Sequence, residues 1–178
     1  LRSLLPAPWE KSALRWRFTA GETALFGQSG ELFWEMRCGV ARTVPGEYRR
    51  ILLCRSAAAG ELIFGFEPVL LDARSFAAHP AFARLGLCTS VKDGALIVYR
   101  APRGGQSAQY LALCCSHEAA FSSDFRQFPA RGGAGVFREN TGWQNEPYIA
   151  ARVALPEERV CEITFSLCVA GDEQSAVD

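Results

Sequence analysis

The stretch that decides the fold is Leu85-Gly-Leu-Cys-Thr-Ser-Val91, Lys92-Asp93-Gly94 and Ala95-Leu-Ile-Val-Tyr-Arg100. Two runs rich in β-branched, aromatic and aliphatic residues flank an Asp-Gly pair. Asp-Gly between two such runs is a strong signal for a tight β-hairpin, because both residues tolerate the positive φ angles that the turn requires. The centre of the chain is therefore predicted to be antiparallel β-structure.

Further runs of strand length lie on both sides of this hairpin. Pro68 interrupts one of them and predicts an edge, a bulge or a break there, since proline cannot donate a ladder hydrogen bond. The most helix-like or turn-like segment, residues 72–83, is short, and residues 121–147 read as irregular. Many short strands with close turns predict an all-β, mostly antiparallel β-sandwich with little helix. The runs are 13–18, 31–38, 48–55, 61–71, 110–115, 148–155 and 160–170.

Length and charge restrict the classes of protein. The 178 residues suit one domain, residues 1–178, with a flexible polar tail at 171–178. Nineteen basic and nineteen acidic side chains cancel, which argues against a nucleic-acid binder and a polybasic membrane anchor. No apolar run approaches the roughly 20 residues of a membrane span, and the first residues lack a signal-peptide core, so we expect a cytoplasmic protein.

The seven cysteines occur neither as C-x-x-C pairs nor at zinc-finger spacing. We expect reduced, buried thiols that act as small hydrophobic side chains, and neither a metal nor another cofactor. Cys114 and Cys115 are predicted to point to opposite faces of one strand. A catalytic cysteine would need a base to form its thiolate, and only His79 and His117 are available.

A few residues are candidates for binding chemistry. Trp143, Trp34 and Tyr148 are aromatic candidates for stacking on a sugar, although an aromatic residue of a sandwich more often belongs to its core. Trp143 is the foremost exception, because it lies among amides and a hydroxyl in Asn140-Thr-Gly-Trp-Gln-Asn145. His79 precedes Pro80 and projects from a turn, either as a structural imidazole or as a ligand contact. Glu61 and Glu67 share a face unless Pro68 breaks the register, and solvated charges are their simplest interpretation.

The order of features resembles glycoside hydrolase family 94, which includes cellobiose and chitobiose phosphorylases and part of cyclic β-1,2-glucan synthases. The resemblance covers roughly residues 40–172. Phe128-Pro-Ala-Arg131 stands where the family has Phe-x-Gly-Arg, and Asn145-Glu146 replaces an aspartate neighbourhood. The matching stretches are Leu62–Leu71, Ala78-His-Pro-Ala-Phe82, Tyr99-Arg-Ala-Pro-Arg103 and Pro147–Glu158.

This resemblance implies a galactose-mutarotase-like super-sandwich that forms part of a larger enzyme. In the family an (α/α)6 barrel supplies the general-acid aspartate, and orthophosphate attacks the anomeric carbon with inversion. No catalytic residue is therefore expected in this chain. The sandwich packs on the barrel of the same polypeptide, contributes to a homodimer and lends loops to the substrate cleft. Arg131, Arg138, Trp143 and His79 are the expected contacts to a β-linked gluco-oligosaccharide.

Two other interpretations of the sequence stay open. A free-standing carbohydrate-binding module would bind sugar without any partner domain. A self-sufficient enzyme of the aldose-mutarotase type would need a histidine, His79 or His117, and a carboxylate that converge on one cleft.

Overall fold

The computed structural model describes residues 14–29, 31–55, 60–71, 85–102, 105–124, 141–144 and 147–177. Of these residues 65% are in strands and 4% in a helix, so the prediction of a mostly antiparallel all-β fold with little helix is confirmed. The strands are β1 (Arg15–Thr19), β2 (Glu22–Ser29), β3 (Leu32–Val40), β4 (Gly46–Cys54), β5 (Glu61–Phe66), β6 (Leu87–Lys92), β7 (Ala95–Arg100), β8 (Gln109–Cys115), β9 (Ala120–Ser122), β10 (Gly142–Gln144), β11 (Ile149–Ala154) and β12 (Val160–Ala170).

The strands form two sheets of unequal size. The large sheet has nine strands in the order β1-β2-β3-β4-β12-β8-β7-β6-β10, and the small sheet has three in the order β5-β11-β9. Neighbouring strands in both sheets pair antiparallel, and an isolated parallel bridge joins Asp124 to Tyr148. Strands β1 and β10 are the edges of the large sheet.

Strand β12 shows how the sequence pattern selects one buried face of the large sheet. Cys161, Ile163, Phe165 and Leu167 are buried, and Glu162 between them is exposed. Successive side chains in a strand point to opposite faces, so this alternation gives one apolar face and one polar face. The buried face of β12 lies at the centre of the core because β4 and β8 flank this strand.

The small sheet packs against that buried face. Ile149, Ala151 and Val153 of β11 belong to the same hydrophobic cluster as the buried residues of β12. The ring of Phe64 in β5 stacks on the ring of Phe165 with centroids 4.8 Å apart. We call the side of the large sheet that faces the small sheet the core face, and the opposite side the outer face.

The central hairpin forms as predicted. Strands β6 and β7 pair in register from Leu87↔Arg100 to Lys92↔Ala95, and the two residues between them are Asp93 and Gly94. Both have positive φ, 50° and 75°, as a two-residue type I′ turn requires.

We expect Gly94→Ala to lower the free energy of unfolding by about 1–2 kcal/mol, because a side chain disfavours the left-handed region. Nothing lies within 4 Å of the added methyl group, so steric contact contributes nothing to this loss. Urea denaturation of the wild-type chain and of Gly94→Ala measures this loss of stability. An unchanged midpoint would show that the turn is not left-handed at this residue.

A short helix covers part of the outer face. Helix α1 (Glu173–Val177) lies in the segment expected as a polar tail, and its Ala176 is buried against Ala95, Ile97 and Ala112. Asp172 accepts hydrogen bonds from the backbone N–H and the hydroxyl of Ser175. These bonds hold the pKa of Asp172 below its usual value and cap the helix. The described helix is not long and apolar enough to cross a membrane.

The strands differ from the sequence-based expectation in several places, and β10 lies within residues 121–147, which were predicted to be irregular. Strand β5 ends at Phe66 instead of continuing to residue 71, and Pro68 follows it as a buried break. Strand β2 was absent from the predicted runs, since Gly27 interrupts its pattern. The structure explains that glycine, because the indole of Trp34 lies directly over it.

Candidate functional site

Of the four predicted substrate contacts, the structure describes one. Trp143 lies at the centre of edge strand β10 and is 67% exposed. Arg131, Arg138 and His79 fall outside the described residues.

Strand β10 is held to β6 by its backbone pairing and by one side chain. Trp143 lies opposite Cys88 in the register of the two strands. The hydroxyl of Thr89 accepts a hydrogen bond from the Gly142 backbone N–H at 3.1 Å and donates one to the Gly142 carbonyl at 3.3 Å. Because Thr89 is buried on the core face, this contact anchors the strand while Trp143 projects from the outer face.

Trp143 begins a line of side chains across the outer face. Register pairs Trp143 with Cys88, Cys88 with Tyr99, and Tyr99 with Tyr110. We call these four residues the aromatic row. The rings of Tyr99 and Tyr110 have centroids 4.8 Å apart and planes 36° apart. Tyr110 also packs against the cluster under helix α1, which confirms that the row lies on the outer face.

The chemistry of the aromatic row fits a neutral ligand with an apolar ring face. Its members are uncharged, and tryptophan and tyrosine offer flat apolar surface together with polar N–H and O–H groups. The row also stands on four adjacent strands, so the backbone holds the rings in place. The sequence analysis found only Trp143 of this row.

The other two aromatic candidates do not lie beside Trp143, and the alternative that such residues belong to the core holds for Trp34. Trp34 is buried in the core and faces the small sheet. Tyr148 is half-buried beside β5, where its hydroxyl donates to the Gly65 carbonyl at 3.4 Å. Phe33 and Trp34 are neighbours on β3 and therefore point to opposite faces of the sheet. Phe33 is exposed, so Trp34 faces the core.

The candidates for acid–base chemistry lie at separate surface positions. His117 is exposed, and its Nδ1 is 3.0 Å from the Ser116 hydroxyl. Glu61 lies 3.9 Å from Arg152, and Glu67 follows the end of β5. In the described part of the chain, no three His, Cys, Asp or Glu side chains gather as a metal site.

All seven cysteines are described, and all are free thiols. Cys161 is buried, while Cys54 is exposed, so the prediction of uniformly buried thiols was wrong. Cys114 and Cys115 pack against the outer and core clusters respectively, which confirms their opposite orientation. Burial raises the pKa of the Cys114, Cys115 and Cys161 thiols and so keeps them protonated and poorly nucleophilic at neutral pH.

The half of the outer face remote from the aromatic row is covered by ion pairs. Arg37 contacts Glu35 at 2.6 Å, an interaction that raises the pKa of this guanidinium, and lies 3.7 Å from Glu22. Arg17 lies 3.8 Å from Glu35. Arg50 lies 3.6 Å from Glu162 on the same half, so three of its arginines have an acidic partner.

At β1, at one edge of the large sheet, the core face carries exposed side chains among the described residues. Trp16 and Phe18 project from this face, opposite Leu25 and Thr23 of β2. Leu25 is buried, but Trp16 is 58% exposed and Phe18 is 72% exposed. The two rings are parallel within 3°, with centroids 6.2 Å apart. We call Trp16 and Phe18 the aromatic edge.

Comparisons with known proteins give one structural similarity. No protein-family model matches the sequence, and no curated protein matches it. The solved structure of a "Putative kojibiose phosphorylase from human microbiome" superposes on 88% of this chain with a TM-score of 0.49 at 6% sequence identity. This chain spans 18% of the length of that protein. A similarity at this level does not assign an activity.

Proposed function

We propose that this chain is a non-catalytic β-sandwich domain of a larger carbohydrate-active enzyme, a glycoside phosphorylase of the family 94 type that acts on β-linked gluco-oligosaccharides. The proposal is supported by the succession of sequence features between residues 40 and 172. In this proposal the domain packs on a catalytic (α/α)6 barrel of the same polypeptide, and the barrel supplies the general acid.

The observation that most directly supports a packing role is the unequal size of the two sheets. Three strands cover part of a nine-stranded sheet. Along one apolar row of the core face, Ile163, Ile51 and Leu25 are buried, whereas Trp16 at the end of the row is 58% exposed. The apolar face thus continues past the edge of its cover.

The aromatic edge is the part of this face that favours a protein partner. Burying an aromatic or large aliphatic side chain gains roughly 1.5–3 kcal/mol relative to leaving it exposed. The two stacked rings on one edge strand offer that gain together, and aromatic side chains are enriched at protein interfaces. Their exposed positions on β1 do not help to hold the two sheets together.

We expect the double substitution Trp16→Ser with Phe18→Ser to weaken binding of this chain to the remainder of its parent polypeptide at least tenfold. The two parts are produced separately and mixed, and calorimetry measures their association. Trp143→Ala is the matched control, since it removes an equally exposed aromatic residue from the outer face and should leave the affinity unchanged.

Circular dichroism shows whether the double variant folds, and both side chains are exposed enough for folding to persist. Equal affinity of the wild-type chain and the double variant would contradict the proposal that the aromatic edge contacts the partner domain. Self-association of the isolated wild-type chain that the double substitution abolishes would also overturn it, because a second copy would then occupy the aromatic edge.

A free-standing carbohydrate-binding module is the second candidate function, and the aromatic row favours it. Such a module needs no barrel and leaves the aromatic edge without a partner. If the chain binds the remainder of a parent polypeptide, the domain of a larger enzyme is supported; if it does not, the free-standing module is supported.

A further inference from the structure

We infer that the free edge of β1 binds an extended segment of the partner domain in which acidic and apolar residues alternate. The segment adds a further strand to the large sheet, and its main chain is hydrogen-bonded to the main chain of β1. This inference deepens the proposed docking through the aromatic edge, and it rests on that proposal for the identity of the partner.

The pairing of β1 with β2 shows which main-chain groups of β1 are already used. Among the described strands, β1 has one neighbour, β2. Two residues, Ala20 and Gly21, connect these strands, and Thr19 lies opposite Glu22 in their register. The hydrogen bond that closes a two-residue hairpin joins the residues on either side of the loop, so Thr19 and Glu22 are a hydrogen-bonded pair.

The main-chain groups of the aromatic residues point away from β2. Hydrogen-bonded and non-hydrogen-bonded pairs alternate along two antiparallel strands. Counting from Thr19, the main chains of Arg17 and Arg15 bond to β2, whereas those of Trp16 and Phe18 face the free edge. The two residues whose rings form the aromatic edge therefore also offer their N–H and C=O groups to an added strand.

Strand β1 lacks several of the features that protect an edge from pairing. Natural edge strands carry proline, a bulge or a charge on the inward face for that purpose. The sequence of β1 contains no proline, and β1 pairs with β2 without a bulge along its whole length. Its side chains on the core face are those of Trp16 and Phe18, which are uncharged. An added strand can therefore follow β1 from end to end.

The charge beside this edge selects an acidic segment. Arg15 and Arg17 are exposed on the outer face of β1. Arg17 lies 3.8 Å from Glu35, but the same carboxylate contacts Arg37 at 2.6 Å. No ion pair among the described residues involves Arg15. The edge is therefore positively charged on its outer face, which complements carboxylates at alternate positions of an added strand.

The same two arginines disfavour a second copy of this chain as the added strand. If two copies of β1 paired about a two-fold axis with Trp16 opposite Phe18, the Arg17 side chains of the two copies would face each other. Like charges directly opposite each other destabilise a pair of strands. A segment with alternating acidic and apolar residues instead places a carboxylate opposite each arginine and an apolar side chain opposite each ring.

Titration of the complete 178-residue chain with the end-blocked peptide Glu-Val-Glu-Val-Glu-Val-Glu tests the edge, and calorimetry measures the binding. We expect saturable binding that the double substitution Arg15→Gln with Arg17→Gln weakens about tenfold. Arg42→Gln with Arg159→Gln is the matched control, since it removes two exposed arginines outside β1 and should leave the affinity unchanged. A peptide with lysine in place of each glutamate should bind at least about tenfold more weakly.

Methylation of peptide nitrogens separates main-chain pairing from attraction between charges. Methyl groups on the valine nitrogens remove the N–H groups that face β1, so we expect binding to be lost. Methyl groups on the glutamate nitrogens face away from β1, and this matched peptide should still bind. The saturating unmethylated peptide should also slow amide hydrogen exchange at Trp16 and Phe18 by at least about tenfold, measured by NMR.

Any of four results would overturn the inference. The first is no binding at about 1 mM peptide. The second is equal binding of the two methylated peptides, and the third is unchanged exchange at Trp16 and Phe18 in the saturated chain. The fourth is slow exchange of these two amides in the free chain that dilution reverses, because a second copy would then occupy the edge.

Failure of this inference is distinguishable from failure of the proposed function. The methylated peptides need no protein variant, and circular dichroism shows whether the arginine variants fold. A chain that fails the peptide tests but still binds the remainder of its parent polypeptide through Trp16 and Phe18 retains the proposed docking and loses the added strand.

Discussion

Phe165→Ala should lower the free energy of unfolding by about 3–5 kcal/mol, the loss typical of a buried phenylalanine truncated in a well-packed core. Phe165 is fully buried in the central strand β12 and stacks on Phe64 of the small sheet. The substitution removes the ring that joins the two sheets and leaves a cavity between them. Urea denaturation monitored by circular dichroism measures the change.

Phe18→Ala is the matched control for this substitution. Phe18 projects from the same face of the same sheet but is largely exposed, so its truncation should change stability by less than about 0.5 kcal/mol. Similar losses for the two variants would contradict a small sheet that covers β12 and leaves β1 uncovered.

Gly27→Ala should cost about 1–3 kcal/mol, although it adds a single methyl group to a strand. A β-carbon at Gly27 would lie 2.9 Å from Trp34 Nε1 and closer still to two carbons of the indole ring. Trp34 is buried, so the ring cannot move aside without disturbing its neighbours. The added methyl group therefore forces a shift of either β2 or the indole.

Gly171→Ala is the control for the effect of replacing a glycine. Nothing lies within 4 Å of a β-carbon at Gly171, so we expect a change of less than about 0.5 kcal/mol. Thermal and urea unfolding of the two variants give the comparison. Equal effects would show that the indole of Trp34 does not rest on Gly27.

Local patterns in the sequence predicted most strands because each strand with one buried face alternates visibly. Val160–Ala170 was predicted with the observed boundaries, and the Asp93-Gly94 turn with the observed hairpin. Strand β2 was missed because its glycine is explained only by a residue of the neighbouring strand, Trp34. A contact between strands is not visible in the pattern of either one.

The same limit applies to the candidate site. The register of the hairpin pairs Cys88 with Tyr99. Because neighbouring residues of a strand point to different faces, Tyr99 and Val98 lie on different faces of the sheet. The pairing of Trp143 with Cys88 joins residues more than fifty positions apart, and no local signal predicts it. For Trp34, residue type left both a surface role and a core role open, and strand parity decides for the core.

Family resemblance and structure contribute different parts of the proposed function. The order of motifs between residues 40 and 172 is the basis on which we propose the phosphorylase family and the type of substrate. The structure adds two surfaces, the aromatic edge and the aromatic row, on opposite faces of one sheet. The aromatic edge is the surface that we propose for contact with a partner domain.

The mass of the native protein in its source cells tests the proposed function most directly. An antibody raised to this chain is used for an immunoblot of those cells under denaturing conditions. We predict a band several times larger than the 19.5 kDa of this chain, in a protein that releases a sugar phosphate from a β-linked gluco-oligosaccharide and orthophosphate. A single band near 19.5 kDa would contradict the account, because the chain would then act without a catalytic barrel of the same polypeptide.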